Sequence, residues 1–373
     1  MGGLCLASTR RASFRSSFSF GARILHVTAA TQSPDIQDYK AVRLWLWAVA
    51  AMVFAMVVVG GATRLMEAGL SITEWKPVTG VLPPLSQAAW AEAFEKYKAI
   101  PQYAKLFPEM GLADFKTIFY WEWGHRLLGR LIGAAFALPM VFFWLRGRLP
   151  QALKPRLLGL LALGALQGFV GWWMVSSGLV DRVEVAPERL AVHLLLASVT
   201  LAALVWLAVG LKPRVRPLEE SEHRLRPAAL LLLALVLAQI GLGALMAGSR
   251  AGLTYNTWPL MDGRLVPPAD DLWRLSPWWK NIFENITLIQ FDHRMLAYIV
   301  LGLALFHRWR AGRVAPGTSG AARARAIDGL VFVQVLIGIA TLVMGVPLWA
   351  GLAHQAFAMI VLAMASVHLR RLY

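Results

Sequence analysis

The sequence has little cysteine and little charge for its length of 373 residues. Its single cysteine, Cys5, lies close to the N-terminus, so the chain can form no internal disulfide, thiolate zinc site or iron–sulfur cluster of its own. Charged residues make up 16% of the chain and hydrophobic residues 58%, whereas a soluble domain carries about 25% charged residues. The composition therefore excludes a soluble globular domain and a disordered chain.

Acidic residues are the scarcer charge, with 21 Asp and Glu against 37 Lys and Arg, for a net charge of +16. In a soluble protein such an excess suggests nucleic-acid binding. Here the basic residues fall in short clusters between apolar runs, a pattern typical of membrane topology. We therefore expect a lipid bilayer as the surroundings of the chain and no nucleic acid as a partner.

No acidic residue precedes Asp35. Residues 1–34 are instead rich in arginine and serine, at Arg10, Arg11, Arg15, Arg23, Ser8, Ser13, Ser16, Ser17 and Ser19. This composition is typical of a mitochondrial transit peptide, and the stretch lacks the apolar core of a secretory signal. A disordered basic tail is the alternative. Because Cys5 falls in this leader, the mature chain is expected to carry no thiol.

Eight apolar runs follow the leader, each close to the length of about 20 residues that crosses a bilayer as a helix. They predict an all-α integral membrane protein with eight transmembrane helices. The predicted spans are 42–62, 123–144, 156–176, 190–210, 228–248, 293–309, 327–345 and 350–369.

The connections between spans alternate in charge. Arginine and lysine cluster between spans 2 and 3, 4 and 5, and 6 and 7, and again after span 8. By the positive-inside rule these clusters mark the inner side of the membrane. For a mitochondrial inner-membrane protein, both mature termini then lie in the matrix, and the long loops 63–122 and 249–292 face the intermembrane space.

The chain contains an internal repeat. Residues 69–84 recur as 252–268, and the segment from Glu122 to Arg126 recurs from Gln290 to Arg294. Two further residues recur at similar offsets, since Gln167 and His193 correspond to Gln334 and His354. A unit of four spans is thus duplicated as residues 35–217 and 218–373. Four spans is an even number, so both copies enter the membrane in one orientation and a pseudo-two-fold axis runs along the membrane normal.

Four histidines lie near the outer ends of the even-numbered spans: His125, His193, His293 and His354. Ionisable residues inside a span are costly and usually functional, although a single one can simply hydrogen-bond between helices. Two imidazoles from facing helices are what a six-coordinate haem iron requires. Zinc needs three or four ligands, and only Glu122 is at hand to complete such a set. The pattern favours one haem per half.

Three charged residues accompany these histidines. Arg126 and Arg294 directly follow a histidine, where a guanidinium could pair with haem propionates or reach lipid headgroups. Glu122 lies three residues before His125, while its counterpart is the uncharged Gln290. It could serve as a general base or proton relay at one site only, or it could face water at the interface.

Together the repeated loops, the Glu122-x-x-His125-Arg126 motif and the three later histidines resemble the haem A synthase family from about residue 40 to the C-terminus. The resemblance implies two tandem four-helix bundles and oxidation of a methyl group of haem O to a formyl group. It implies that His293 and His354 ligate a haem b cofactor, and that His125 and His193, with Glu122, frame the substrate haem. The absence of loop cysteines resembles the mitochondrial and proteobacterial branch.

The resemblance also implies partners. Haem O is expected as the substrate, and the protohaem farnesyltransferase that makes it as the donor. An electron-transfer protein must take part in the oxidation, and the chain could form a homo-oligomer.

A second interpretation is a cytochrome b that moves electrons between two haems stacked across the membrane. His307 lies 14 residues after His293, and His368 lies 14 residues after His354, which returns to nearly the same helix face about 21 Å away. The first half lacks this spacing, because Pro139 and Leu207 occupy the equivalent positions. A repeat-built transporter is a third option, but the spans lack helices broken at midplane.

Overall fold

Eight long helices form the body of the protein. The computed structural model describes residues 39–214 and 216–373, so the predicted transit peptide 1–34 lies outside the described residues. We label the long helices α1 (Lys40–Leu65), α2 (Leu112–Leu145), α3 (Lys154–Ser176), α4 (Pro187–Gly210), α5 (Arg226–Ser249), α6 (Ile286–Val314), α7 (Ser319–Val343) and α8 (Leu348–Arg371).

The predicted membrane class is confirmed. All eight helices are long and apolar enough to cross a bilayer, and each predicted span falls on one of them. The ends differ most at α2, which begins at Leu112 rather than near residue 123. Its first turns lie outside the predicted span because Phe115 and Phe119 pack into a separate cluster with Trp90 and Tyr97.

Local sequence explains several helix boundaries. The side chain of Asn285 accepts hydrogen bonds from the backbone N–H groups of Thr287 and Leu288 at the start of α6, and Thr318 caps α7 in the same way. Such caps satisfy N–H groups that have no partner within the helix. α5 ends where Arg250 adopts a left-handed conformation with φ of 53°, which stops helical propagation.

Short helices occupy the connections. The α-helices are Gln87–Lys98, Pro101–Leu106, Glu220–His223, Ala269–Leu272 and Lys280–Glu284, and the 3₁₀-helices are Thr79–Val81, Gln151–Leu153 and Ala251–Leu253. Across residues 39–214 and 216–373 the structure has no β-strand; an isolated bridge joins Met261 and Arg264. The long first loop is therefore a folded cap with its own aromatic cluster.

The long helices contact one another in two linked sets. In the first, α1 packs on α2 and α4, and α3 packs on α2 and α4. In the second, α8 packs on α5 and α7, and α6 packs on the same two helices. The sets meet where α4 contacts α5 and α8 and where α1 contacts α8. A single apolar core that includes Leu46, Leu204, Leu232 and Leu362 runs through both sets.

Candidate functional site

Each of the four predicted histidines packs against a glycine of the preceding helix. A Cβ added to that glycine would lie 2.7–3.3 Å from the imidazole Cε1, closer than side chains ordinarily approach. Glycine is thus the residue that lets the ring lie against the neighbouring backbone. The pairs are His125 with Gly60, His193 with Gly171, His293 with Gly243, and His354 with Gly338.

His293 and His354 face each other across the second set of helices. Their ring centres are 6.4 Å apart and their planes are inclined by 75°. An imidazole nitrogen binds a first-row metal at about 2.0 Å, so two imidazoles on one haem iron place their ring centres roughly 6 Å apart. The donor set and spacing of this pair fit a bis-histidine haem.

Three of the four histidines are held by a glutamine from the same preceding helix. The side-chain amide donates to the backbone carbonyl oxygen of the histidine at 3.0–3.1 Å. The internal repeat relates Gln167 to Gln334, but it does not predict Gln239, which holds His293. The available signal was a four-residue spacing, because each of these glutamines precedes the glycine beside its histidine by four positions.

Glu122 is 3% exposed, so the prediction that it could face water is wrong. Its Oε2 accepts hydrogen bonds from the Ser71 hydroxyl at 2.7 Å and the Ile72 backbone N–H at 2.8 Å. Its Oε1 pairs with the Arg126 guanidinium at 2.6 Å. The carboxylate therefore ties the first repeated loop, residues 69–84, to α2.

Gln290 does the same for the second loop, residues 252–268, with the opposite polarity. Gln290 is fully buried. Its side-chain amide donates a hydrogen bond to the backbone carbonyl of Tyr255 at 3.2 Å. Tyr255 corresponds to Ile72 in the repeat. An acceptor thus meets a backbone N–H in the first half, and a donor meets a backbone carbonyl in the second.

The two arginines that follow histidines also bind these loops. Arg126 donates to the carbonyls of Ile72 and Glu74. Arg294 donates to the carbonyls of Tyr255, Thr257 and Leu260. Their guanidinium groups tie the loops to α2 and α6, and pairing with propionates stays a prediction.

Outside the spans, the first loop carries an ion-pair cluster. Lys76 and Lys96 both donate to Glu74, at 2.9 and 3.0 Å. These two hydrogen bonds hold the pKa of the Glu74 carboxyl below its usual value. In the second loop Thr257 occupies the equivalent position.

His307 and His368 form a different kind of pair. Both are buried, and their Nε2 atoms are 2.8 Å apart, the distance of a direct hydrogen bond. An iron bound to both would need its two nitrogens about 4 Å apart. The pair therefore joins α6 to α8 by a direct hydrogen bond. The two-haem cytochrome interpretation is not favoured.

The chain is similar to known proteins over most of its length. Residues 43–366 match the family model COX15-CtaA, described as cytochrome oxidase assembly protein. A protein of Beijerinckia indica named heme A synthase is 61% identical over 89% of this chain and 93% of its own length. Proteins of the same name from Methylobacterium sp. and Brucella ovis are 58% and 54% identical, over 93% and 91% of this chain and 96% and 93% of their own lengths.

The family model spans nearly all of the described helices, including the four histidines, their glycines and both repeated loops. On this coverage, and on identity above one half to relatives matched over most of their length, the chain belongs to the cytochrome oxidase assembly protein family of the heme A synthases.

Proposed function

We propose that this chain is a haem A synthase that oxidises one methyl group of haem O to a formyl group. Two successive oxidations, each taking one oxygen atom from water and releasing two protons and two electrons, convert the methyl to an alcohol and then to a hydrate, which loses water to leave the aldehyde. The observation that carries the proposal is the set of four glycine-backed histidines, found in a chain 61% identical to a protein of that name. The oxidation needs a redox partner, which we expect to be a separate electron-transfer protein.

We assign the haem b cofactor to His293 and His354. The 6.4 Å ring spacing supports this pair as the residues that would hold the haem iron. Gln239 and Gln334 fix both rings from the preceding helices. When bound, haem b supplies one-electron transfer at this end of the membrane. Arg294 contributes by donating hydrogen bonds to the second loop, which it holds beside the site.

We assign haem O to His125 and His193. Both occupy the same places on α2 and α4 that His293 and His354 occupy on α6 and α8, each with its ring against a glycine. Glu122 lies one turn before His125, within the same helix. We propose that its Oε2, which accepts the Ser71 hydroxyl, takes up a proton during oxidation of the substrate. Arg126 keeps that carboxylate aimed at the loop.

We place the protein in the mitochondrial inner membrane, with both mature termini in the matrix and the histidines toward the intermembrane space. The arginine-rich, acid-free leader supports the location, and the basic clusters support the orientation. The relatives reported above are bacterial. Fusing residues 1–38 to a soluble reporter tests the location: import into isolated mitochondria is expected, and a reporter left outside contradicts it.

The test of the function is to express the full chain in cells that make haem O and to extract its porphyrins. Haem b together with haem O, its alcohol or haem A is the expected result. His125→Ala is expected to keep haem b but to stop formation of haem A. Haem b alone, at two per chain, with no oxidised product, would contradict the proposal.

A further inference from the structure

The four histidine sites follow one sequence rule with one exception. Gln167, Gln239 and Gln334 each lie four residues before the glycine that backs a histidine. The fourth glycine, Gly60, has Met56 at that position. The exception therefore falls at His125, in the half assigned to the substrate.

The glutamines act on the rings as well as on the backbone. The Gln167 amide nitrogen lies 3.1 Å from His193 Nδ1 and 3.4 Å from its Nε2. For Gln239 and His293 the two distances are 3.1 and 3.3 Å. A nitrogen almost equidistant from both ring nitrogens lies over the face of the ring rather than in line with one lone pair. The Gln167 and Gln239 amides thus cover an imidazole face while they are anchored on the histidine carbonyl. The Gln334 amide nitrogen lies 3.2 Å from His354 Nδ1 and has the same carbonyl anchor.

His125 has no such anchor. Its Nδ1 is buried without a hydrogen-bond partner among the described residues. Met56 instead lies against Gly129, since a Cβ added to Gly129 would lie 3.1 Å from the Met56 methyl carbon. Gly129 follows His125 by four residues, and alanine stands at that position after the other three histidines, at Ala197, Ala297 and Ala358. The methionine and the glycine form a matched replacement for glutamine and alanine.

We propose that Gln167, Gln239 and Gln334 are positioning residues that lock three of the four haem-ligating imidazoles, and that Met56 leaves His125 as the one imidazole able to release a haem iron. The proposal rests on the proposed function. A haem b cofactor must stay bound through many turnovers, and both of its proposed ligands, His293 and His354, are held by a glutamine. A substrate haem must enter and leave, and one of its proposed ligands, His125, is not held in this way. Groups that orient a metal ligand from behind typically change metal affinity 10- to 100-fold when removed.

The test measures release of haem from the purified full chain. The protein is loaded with iron protoporphyrin IX and mixed with excess apomyoglobin, which captures any haem that dissociates. We expect a fast and a slow phase, of which His354→Ala removes the slow one. Met56→Gln, alone and combined with Gly129→Ala, is expected to slow the fast phase about tenfold. Met56→Leu, which keeps an apolar side chain of similar size, should leave the fast rate unchanged.

The reverse exchanges test the locks. Gln334→Met and Gln239→Met are expected to accelerate the slow phase about tenfold and to lower the share of low-spin haem in the EPR spectrum. Gln167→Met should accelerate only the fast phase. Glutamine and methionine both already occur four residues before a glycine that contacts a histidine. We therefore expect these variants to fold.

Two failures are distinguishable. If rates and spin state ignore all the glutamine and methionine exchanges while His354→Ala still removes the slow phase, the inference about locks is overturned and the proposed ligands stand. If His354→Ala and His293→Ala both retain two release phases, the ligand assignment itself fails, and the proposed function and the inference fail together.

Discussion

The loop over α2 and the loop over α6 are copies of each other in sequence, yet they are held by hydrogen bonds of opposite direction. Glu122 accepts from the Ile72 N–H, while Gln290 donates to the Tyr255 carbonyl. The change from acid to amide is therefore matched to a change in what the loop backbone offers. Glu122 therefore holds the first loop against α2 in addition to any proton transfer, and experiments must separate these two roles.

The largest expected effect is loss of the cofactor from the second half. Under the proposed assignment, His293→Ala or His354→Ala removes one of the two residues that would hold the haem iron, so we expect most tightly bound haem b to be lost. The measurement is the pyridine haemochrome spectrum of purified protein. Normal haem b spectra in both variants would show that the cofactor lies elsewhere. The assignment of cofactor to the second half and substrate to the first would then be wrong.

The next effect concerns Glu122 in the first half. Glu122→Gln keeps the size of the side chain but cannot take up a proton, and positioned proton transfer contributes about 10²–10⁴-fold to a rate. We expect haem A formation to fall by that factor, with the alcohol accumulating and haem b retained. Product ratios by chromatography of extracted haems give the measurement.

Ser71→Ala is the matched control for this variant. It removes one hydrogen bond from Glu122 Oε2 without touching the carboxylate. If Glu122 serves only to hold the loop, Ser71→Ala and Glu122→Gln should reduce activity alike. If it transfers a proton, Glu122→Gln should be far the more severe. Gln290→Glu, which sets a carboxylate against the Tyr255 carbonyl, should instead loosen the second loop and disturb activity much less.

A smaller effect is expected at the pair formed by His307 and His368. His307→Ala or His368→Ala leaves its partner buried without the Nε2 contact, which costs about 1–3 kcal/mol. Haem content and activity should stay near those of the unaltered protein while the thermal midpoint falls. Loss of one haem in either variant would revive the two-haem interpretation.

The smallest effect distinguishes the two loops by pH. The pKa of Glu74 is lowered by hydrogen bonds from Lys76 and Lys96, so this carboxylate stabilises the first loop above its usual pKa of 4.5 and the contribution is lost as the pH falls through the lowered value. Spin labels at positions 75 and 258, in a chain with Cys5 replaced by serine, report loop mobility. Acidification should mobilise the first label and leave the second unchanged.

Much of this architecture was predictable from sequence. Hydropathy alone identified eight spans, and the repeat placed four histidines at one depth. Other features were not predictable. The sequence predicts only a connection for the first long loop. In the structure Trp90, Tyr97 and Phe115 pack together there and give the loop a core of its own. Arg126 and Arg294 suggested propionate binding because each follows a histidine, whereas their reach toward loop carbonyls depends on where the loops return.

The sequence by itself determined the membrane class and the number of long helices, and it singled out four histidines, because lipid requires long apolar segments and makes polar residues within them conspicuous. Only the tertiary structure decided what surrounds each imidazole. Gly60 and Met56 lie on α1, whereas His125 and Gly129 lie on α2. The contacts of Gly60 with His125 and of Met56 with Gly129 therefore depend on how α1 packs against α2. Hydrogen bonds and close contacts between helices depend on that packing, and the spacing of residues along a single helix does not predict them.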